Sequence, residues 1–249
     1  MKNNEINELN QYIDIHSHIL PGIDDGSADF SMSLQMLALA AKHGTRGIIV
    51  TPHNKPGRHN AGQKKITSLI EELKQEMEER NISIELYFGN EIYYRSGIRE
   101  ELEEQKCLTM AGSDYILTEF GPMDDFDYIR NGIYNLLAEG YRPILAHAER
   151  YEKINGRADR VEDLIEMGCY IQVNAGSIMG NFGFGTKVFT RKLLAKELVH
   201  FVATDAHDLG KRSPDLRECA SYISKKYGAN YMQELCYENP MHIIRNEYI

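Results

Sequence analysis

Tyr12-Ile-Asp-Ile-His-Ser-His18 is a short apolar run that closes in side chains able to bind a metal. One H-x-H decides little, because alternate strand residues share a face and two histidines there could simply pack or hydrogen-bond. Recurrence decides the fold. Apolar runs at 12–15, 47–50, 84–88, 115–117, 143–146, 170–173 and 199–203 are rich in Ile, Val and Tyr, as strands buried on both faces should be. They lead in turn into Asp14, His16 and His18; His53; Glu91; Glu119; His147; Asn174; and Asp205 with His207.

Amphipathic segments separate the runs. Ile66, Leu69, Ile70, Leu73 and Met77 repeat at helical spacing, and Leu34, Leu37, Ala38 and Ala41 do so earlier, ending at His43-Gly44. Further helices are predicted over 97–105, 125–139, 158–167, 187–197, 214–226 and 231–238. Alternation of strand and helix implies parallel strands with helical crossovers. The predicted architecture is α/β, a barrel of seven parallel strands, with an open doubly wound sheet as the alternative. One such barrel takes about 250 residues. The 249 residues here hold no linker or repeat, so a single domain over 1–249 is expected, with a polar extension at 1–11. Parallel barrel strands all end on one face, where Asp14 and His207 would converge from opposite ends of the chain. Histidine nitrogens and carboxylate oxygens suit Mn, Fe or Zn.

Composition narrows the function. The formal charge of −9, from 28 basic and 37 acidic residues, leaves no basic stripe of the kind that clamps nucleic acid. Residues 1–11 lack the apolar core of a signal peptide, and the longest uncharged stretch, 167–186, is broken by Gly and Asn. A cytoplasmic protein without membrane insertion is expected. Cys107, Cys169, Cys219 and Cys236 form no C-x-x-C pair, which suits reduced thiols acting as small hydrophobes. Six residues beyond them stand Ser113, Ala175, Lys225 and His242, so the C-x5-R loop of thiolate phosphatases does not occur.

With these residues in view, the chain resembles the PHP superfamily, named for polymerase and histidinol phosphatase domains. Within it the likeness is to the bacterial PHP tyrosine phosphatases of capsule and exopolysaccharide clusters. It is carried by Asp14-Ile-His-Ser-His-Ile-Leu-Pro-Gly-Ile-Asp-Asp-Gly26, Thr51-Pro-His53, Gly89-Asn-Glu-Ile-Tyr93, His147-Ala-Glu-Arg150, Thr204-Asp-Ala-His207 and Arg212-Ser-Pro-Asp-Leu216. The resemblance implies a distorted barrel with three divalent metal ions, usually Mn. It implies as ligands His16, His18, Asp25, His53, Glu91, Glu119, His147, Asp205 and His207. Asp24 and Asp25 are equal candidates on position alone, and Asn54 stands where family members often carry another histidine.

The chemistry implied is hydrolysis of protein phosphotyrosine by metal-activated hydroxide, with Glu91 bridging ions. The expected partner is a phosphotyrosyl protein, a bacterial tyrosine autokinase. Arg150 and Arg212 lie just past strand ends. Position alone leaves a solvated arginine as open as a phosphate contact; the resemblance makes both phosphate clamps, a task for which the guanidinium fork is suited. Asp208 reads as an exposed loop carboxylate, and no general acid is identified. The glycine-rich segment 176–185 reads as a mobile loop at the site mouth, contacting substrate through Asn174. His43, His59, His200 and His242 fall outside the pattern. The competing readings are a PHP phosphatase for a small ester such as histidinol phosphate, a nuclease-like PHP domain, and a non-catalytic metal-binding scaffold.

Overall fold

The computed structural model describes residues 11–249, so the predicted extension lies, but for Gln11, outside them. Where seven strands were expected there are nine: β1 Tyr12–Ser17, β2 Thr45–Val50, β3 His53–Asn54, β4 Glu85–Tyr87, β5 Glu91–Tyr93, β6 Tyr115–Glu119, β7 Arg142–Leu145, β8 Tyr170–Asn174 and β9 Phe201–Ala203. Every paired neighbour is parallel, in two sheets ordered β1-β2-β4 and β3-β5-β6-β7-β8-β9.

The extra strands come from breaks in the second and third runs. Pro52 cannot donate to a ladder. Its carbonyl instead accepts from Glu91 N at 3.2 Å and from Asn90 Nδ2 at 2.8 Å. Beyond the break, His53 is the register partner of Glu91. The sheets meet again where Ser17 bridges Ala206 in parallel, with Asp205 N donating to His16 O at 2.8 Å and His18 N to Ala206 O at 2.9 Å. The whole is a curled parallel sheet wrapped by helices.

One face of this sheet changes character along β6 and β9. Ile13, Ile15, Ile49, Tyr115, Leu117, Ile144, Ala146, Phe201 and Ala203 form a single buried cluster, joined by Ile243 from the helix Asn239–Arg245. Since side chains alternate, the next residues on that face are Glu119 after Leu117 and Asp205 after Ala203. Apolar floor gives way to acidic rim.

Helices cover the outer face. Gln63–Glu79 buries Ile66, Leu69, Ile70, Leu73 and Met77, and Phe30–Lys42 ends at His43, whose amide caps the last carbonyls. The segment 176–185 is corrected: it is not one loop. Ala175–Met179 and Phe184–Ala195 are helical, and a short turn joins them, with Gly180 and Gly183 both at φ 102°. Glycine count misled there because only the conformations at 180 and 183 require it. Among the described residues no helix is long and apolar enough to cross a membrane.

Candidate metal centre

Four groups of side chains at the C-terminal strand ends could each hold an ion: His18, Asp25, His53 and His207; His16, His18 and Glu91; His16, His147 and Asp205; and His53, Glu91 and Glu119. Together they draw on the nine expected ligands and, among the described residues, on no others. The groups overlap through His16, His18, His53 and Glu91, so they form one continuous centre.

The spacing of donor atoms suits cations between them. Two donors each about 2.1 Å from one ion lie about 3.0–3.4 Å apart in octahedral or tetrahedral shells. His16 Nε2 and His18 Nε2 face each other at 3.2 Å, and each lies 3.4 Å from Asp205 Oδ1. His16 Nε2 is 3.4 Å from Glu91 Oε1, and His18 Nε2 is 3.5 Å from Glu91 Oε2. His53 Nδ1 approaches Glu91 Oε2 to 2.6 Å, yet both atoms are buried without a hydrogen bond of proper geometry, as is His207 Nε2. Buried polar atoms that converge without bonding one another fit a cation as their shared partner.

Local backbone aims these groups. His147 (φ 34°) and Asp205 (φ 53°) sit in the left-handed region, a conformation that costs of order 1–3 kcal/mol and concentrates at functional sites. A Cβ on Gly26 would stand 2.0 Å from His18 O, so only glycine lets the Asp24-Asp25 turn fold back onto His18. That turn separates the two aspartates. Asp24 Oδ2 accepts from His18 Nδ1 at 2.8 Å and from His53 N at 3.1 Å, holding the His18 ring and the His53 backbone from behind. Asp25 faces the open side, 3.2 Å from His53 Nε2 and 3.4 Å from His207 Nε2.

Behind the centre runs a buried chain that sequence reasoning missed. Gln172 Oε1 accepts from His16 Nδ1 at 3.1 Å and from His147 N at 2.8 Å, while its Nε2 donates to Asn174 Oδ1 at 2.8 Å. Asn174 Nδ2 then donates to Asp205 Oδ2 at 2.9 Å. Asn174 is therefore committed inside the centre and is not the substrate contact expected of it. Buried Glu149 accepts from Asn174 N at 3.0 Å, and burial raises its pKa. The available signal for Gln172 was a polar residue in an apolar run, two positions before Asn174 and on its face.

Electrostatics follow from crowding. Burial is the largest single influence on Glu91 and Asp205 and opposes their ionisation. The surrounding histidines together outweigh it, His16, His147 and His53 at Glu91 and His16, His18 and His147 at Asp205, and hold both well below the usual carboxylate range. Burial also opposes charge on His18, where Asp205, Asp24 and Glu91 prevail and raise it to about 10. His207, desolvated and next to His18, is lowered to about 3. Ionised buried carboxylates require cationic partners, and this centre supplies that demand in a small volume.

Both expected arginines are present at the rim. Arg150 Nη1 lies 3.2 Å from Asp205 Oδ2, and Arg212 Nη2 lies 2.6 Å from Asp205 Oδ1. Asp208 Oδ1 accepts from Gly210 N and Arg212 N, so it shapes the loop that carries Arg212. Lys55, not singled out from sequence, places Nζ 2.9 Å from Glu119 Oε1. Asn54 turns away to Arg95 and Lys106 O. The four cysteines are buried and free, and burial pushes Cys107, Cys169 and Cys236 up to about 12. His43 pairs with Asp215 at 2.7 Å, and His200 accepts from Ile171 N at 3.1 Å, both away from the centre.

The family model for capsular polysaccharide synthesis, CpsB/CapC, matches residues 12–245. Tyrosine-protein phosphatase CpsB of Streptococcus pneumoniae is 36% identical over 95% of this chain and 100% of its own length. Tyrosine-protein phosphatase YwqE of Bacillus subtilis strain 168 is 33% identical, over 95% of this chain and 93% of its own. A solved structure from the pair YwqE of Bacillus subtilis and CpsB of Streptococcus pneumoniae, described as unique metal-dependent tyrosine phosphatases, superposes with a TM-score of 0.89 at 32% identity, covering 95% of this chain and 96% of that one.

Proposed function

The chain belongs to the capsular polysaccharide synthesis family CpsB/CapC, and from that footing we propose that it is a metal-dependent protein-tyrosine phosphatase. The observation that carries this reading is the overlap of the four donor groups, which fits several ions sharing ligands better than one isolated ion. We read β2 with β3, and β4 with β5, as single staves of a distorted (β/α)7 barrel, since each pair is separated only by a short break.

His16, His18, Asp25, His53, Glu91, Glu119, His147, Asp205 and His207 would hold three divalent ions, taken as Mn, with Fe or Zn suited to the same donors. Such ions, when bound there, would supply a water of lowered pKa, towards about 7, and charge to neutralise phosphoryl oxygens. Glu91, shared by two donor groups, would serve as a ligand common to both. Gln172 fixes the proton of His16 on Nδ1 and so presents Nε2 to the centre. Arg150 and Arg212 orient the phosphoryl group at the rim, their guanidinium hydrogens directed by Asp205. A tyrosine leaving group, with a conjugate-acid pKa of about 10, departs with less protonation than an alkyl alcohol needs. The four buried cysteines offer no thiolate nucleophile.

The substrate class we assign is a tyrosine autokinase of capsule or exopolysaccharide production. The four free, buried thiols suit the reducing cytoplasm. The direct test compares Mn-supplemented turnover of a phosphotyrosyl peptide with that of histidinol phosphate. Preference for the peptide supports the reading; preference for histidinol phosphate makes this a small-ester phosphatase, and no turnover of either makes it a scaffold.

A further inference from the structure

Beyond Arg212 a cleft of about 250 Å³ opens between the chain that follows β8 and the chain that follows β9. Gly176, Phe182, Thr204, Lys211 and Arg212 line it. It lies at two adjacent C-terminal strand ends, the face that carries the donor groups. Arg212 belongs to both places, since the guanidinium that lines the cleft also meets Asp205.

Phe182 is the unusual member. It is 37% exposed, in the sequence Asn181-Phe-Gly-Phe-Gly185, whose second phenylalanine is 82% exposed. Its ring lies against the backbone of Gly176, where a Cβ would stand 2.8 Å from Phe182 Cε2. Lys211 Nζ sits 5.3 Å from the ring centroid. Glycine at 176 and the left-handed glycines at 180 and 183 let an aromatic ring be held at the rim while part of its face stays open. The cleft is smaller than the roughly 300–1,000 Å³ of sites that enclose a drug-sized ligand, and fits one side chain.

Building on the tyrosine-phosphatase reading, we propose that Phe182 is the specificity-determining residue for the aryl group, its ring stacking on the phenyl ring of phosphotyrosine while Arg212 holds the phosphoryl end. Lys211 then lies beside the same ring pair and near the phosphate. Of the two acidic side chains that also line the cleft, Asp215 is paired with His43 and Arg217, and Glu218 is exposed to solvent. An alkyl phosphate would meet Arg212 equally well but leave Phe182 without a partner.

The test uses two non-hydrolysable probes on the metal-loaded enzyme, phenylphosphonate and methylphosphonate, as competitive inhibitors of aryl phosphate turnover. Wild type should bind phenylphosphonate the more tightly. Phe182→Ala should weaken phenylphosphonate about tenfold, the scale of one aromatic pair plus its buried area, and leave methylphosphonate within about twofold. Gly176→Ala keeps the phenylalanine but pushes its ring away, and should produce the same selective loss. Equal weakening of both probes, or of neither, in Phe182→Ala overturns the assignment. Failure of the tyrosine-phosphatase reading is separate and shows in wild type alone, as no turnover of phosphotyrosyl peptide with Mn present.

Discussion

Arg150 and Arg212 grip opposite oxygens of one carboxylate: Arg150 Nη1 is 3.2 Å from Asp205 Oδ2 and Arg212 Nη2 is 2.6 Å from Asp205 Oδ1. The arginine side chains are 46% and 24% exposed, so the two cations reach from solvent onto a buried anion. Arg212 also donates from Nε to Asp205 O at 3.2 Å, which fixes its plane. The proposed phosphate clamp and the candidate metal centre thus share a residue.

Replacing either arginine with alanine should leave bound metal in place, because neither supplies a ligand atom. A charged hydrogen bond to the phosphoryl group is worth roughly 1.5–3 kcal/mol. That converts to about a ten- to hundredfold loss of kcat/KM per arginine, equal on a generic aryl phosphate and on a phosphotyrosyl peptide. Arg212, the more buried and the more tightly anchored, should show the larger loss. Steady-state kinetics with metal analysis of each variant checks this, and a loss confined to the peptide would move the arginines to a protein-recognition role.

Glu91 stands in two donor groups, so Glu91→Ala should lose metal and nearly all turnover while the fold persists. Stripping metal from wild type should lower Tm by mass action, and Glu91→Ala should no longer respond to added Mn. Unchanged metal content in that variant would remove Glu91 from the centre.

Gln172 touches no ion in this scheme, yet it orders His16, His147 and, through Asn174, Asp205. Gln172→Leu should weaken metal affinity about 10–100-fold, the usual effect of losing such support. Titration with Mn followed by calorimetry reads it directly. An affinity equal to wild type would show that packing alone orients His16.

Chelation should abolish activity, while substituting the four cysteines with Ser or Ala should spare most of it. Burial pushes Cys107, Cys169 and Cys236 up to about 12 and raises Cys219 well above its ordinary value, so none ionises near neutral pH. Inactivation by a thiol reagent under native conditions, with chelators harmless, would reverse the mechanism.

His200 supplies a pH dependence away from the centre. Burial lowers it to about 4, and Nδ1 accepts from Ile171 N–H, which requires the neutral ring. The unfolded chain takes up the proton near about pH 6.5 and the folded one does not. Stability therefore falls as pH drops from about 6.5 to about 4, and levels off from this residue below that. Tm measured across that window should fall less for His200→Gln, which can still accept the bond; parallel curves would discount His200.

The sequence by itself determined the alternation, the parallel sheet and most of the candidate ligand positions, because strand periodicity and the polar residue closing each run are local properties. His16, His53, Glu119, His147 and Asp205 could be named from where their runs stop. Other features needed the chain in three dimensions. Asp24 and Asp25 are chemically identical neighbours, and only the fold of the turn over Gly26 sends one behind His18 and the other toward His53 and His207. Splitting of the second and third runs depends on where Pro52 meets Asn90 and Glu91 across the sheet. Gln172 is a single polar residue in an apolar strand until His16, far away in sequence, is laid against it. Phe182 is one more glycine-flanked phenylalanine until Gly176 and Lys211 come against its ring. Hydrogen bonds and ring contacts between distant segments carry no short-range signal, so tertiary structure alone decides them.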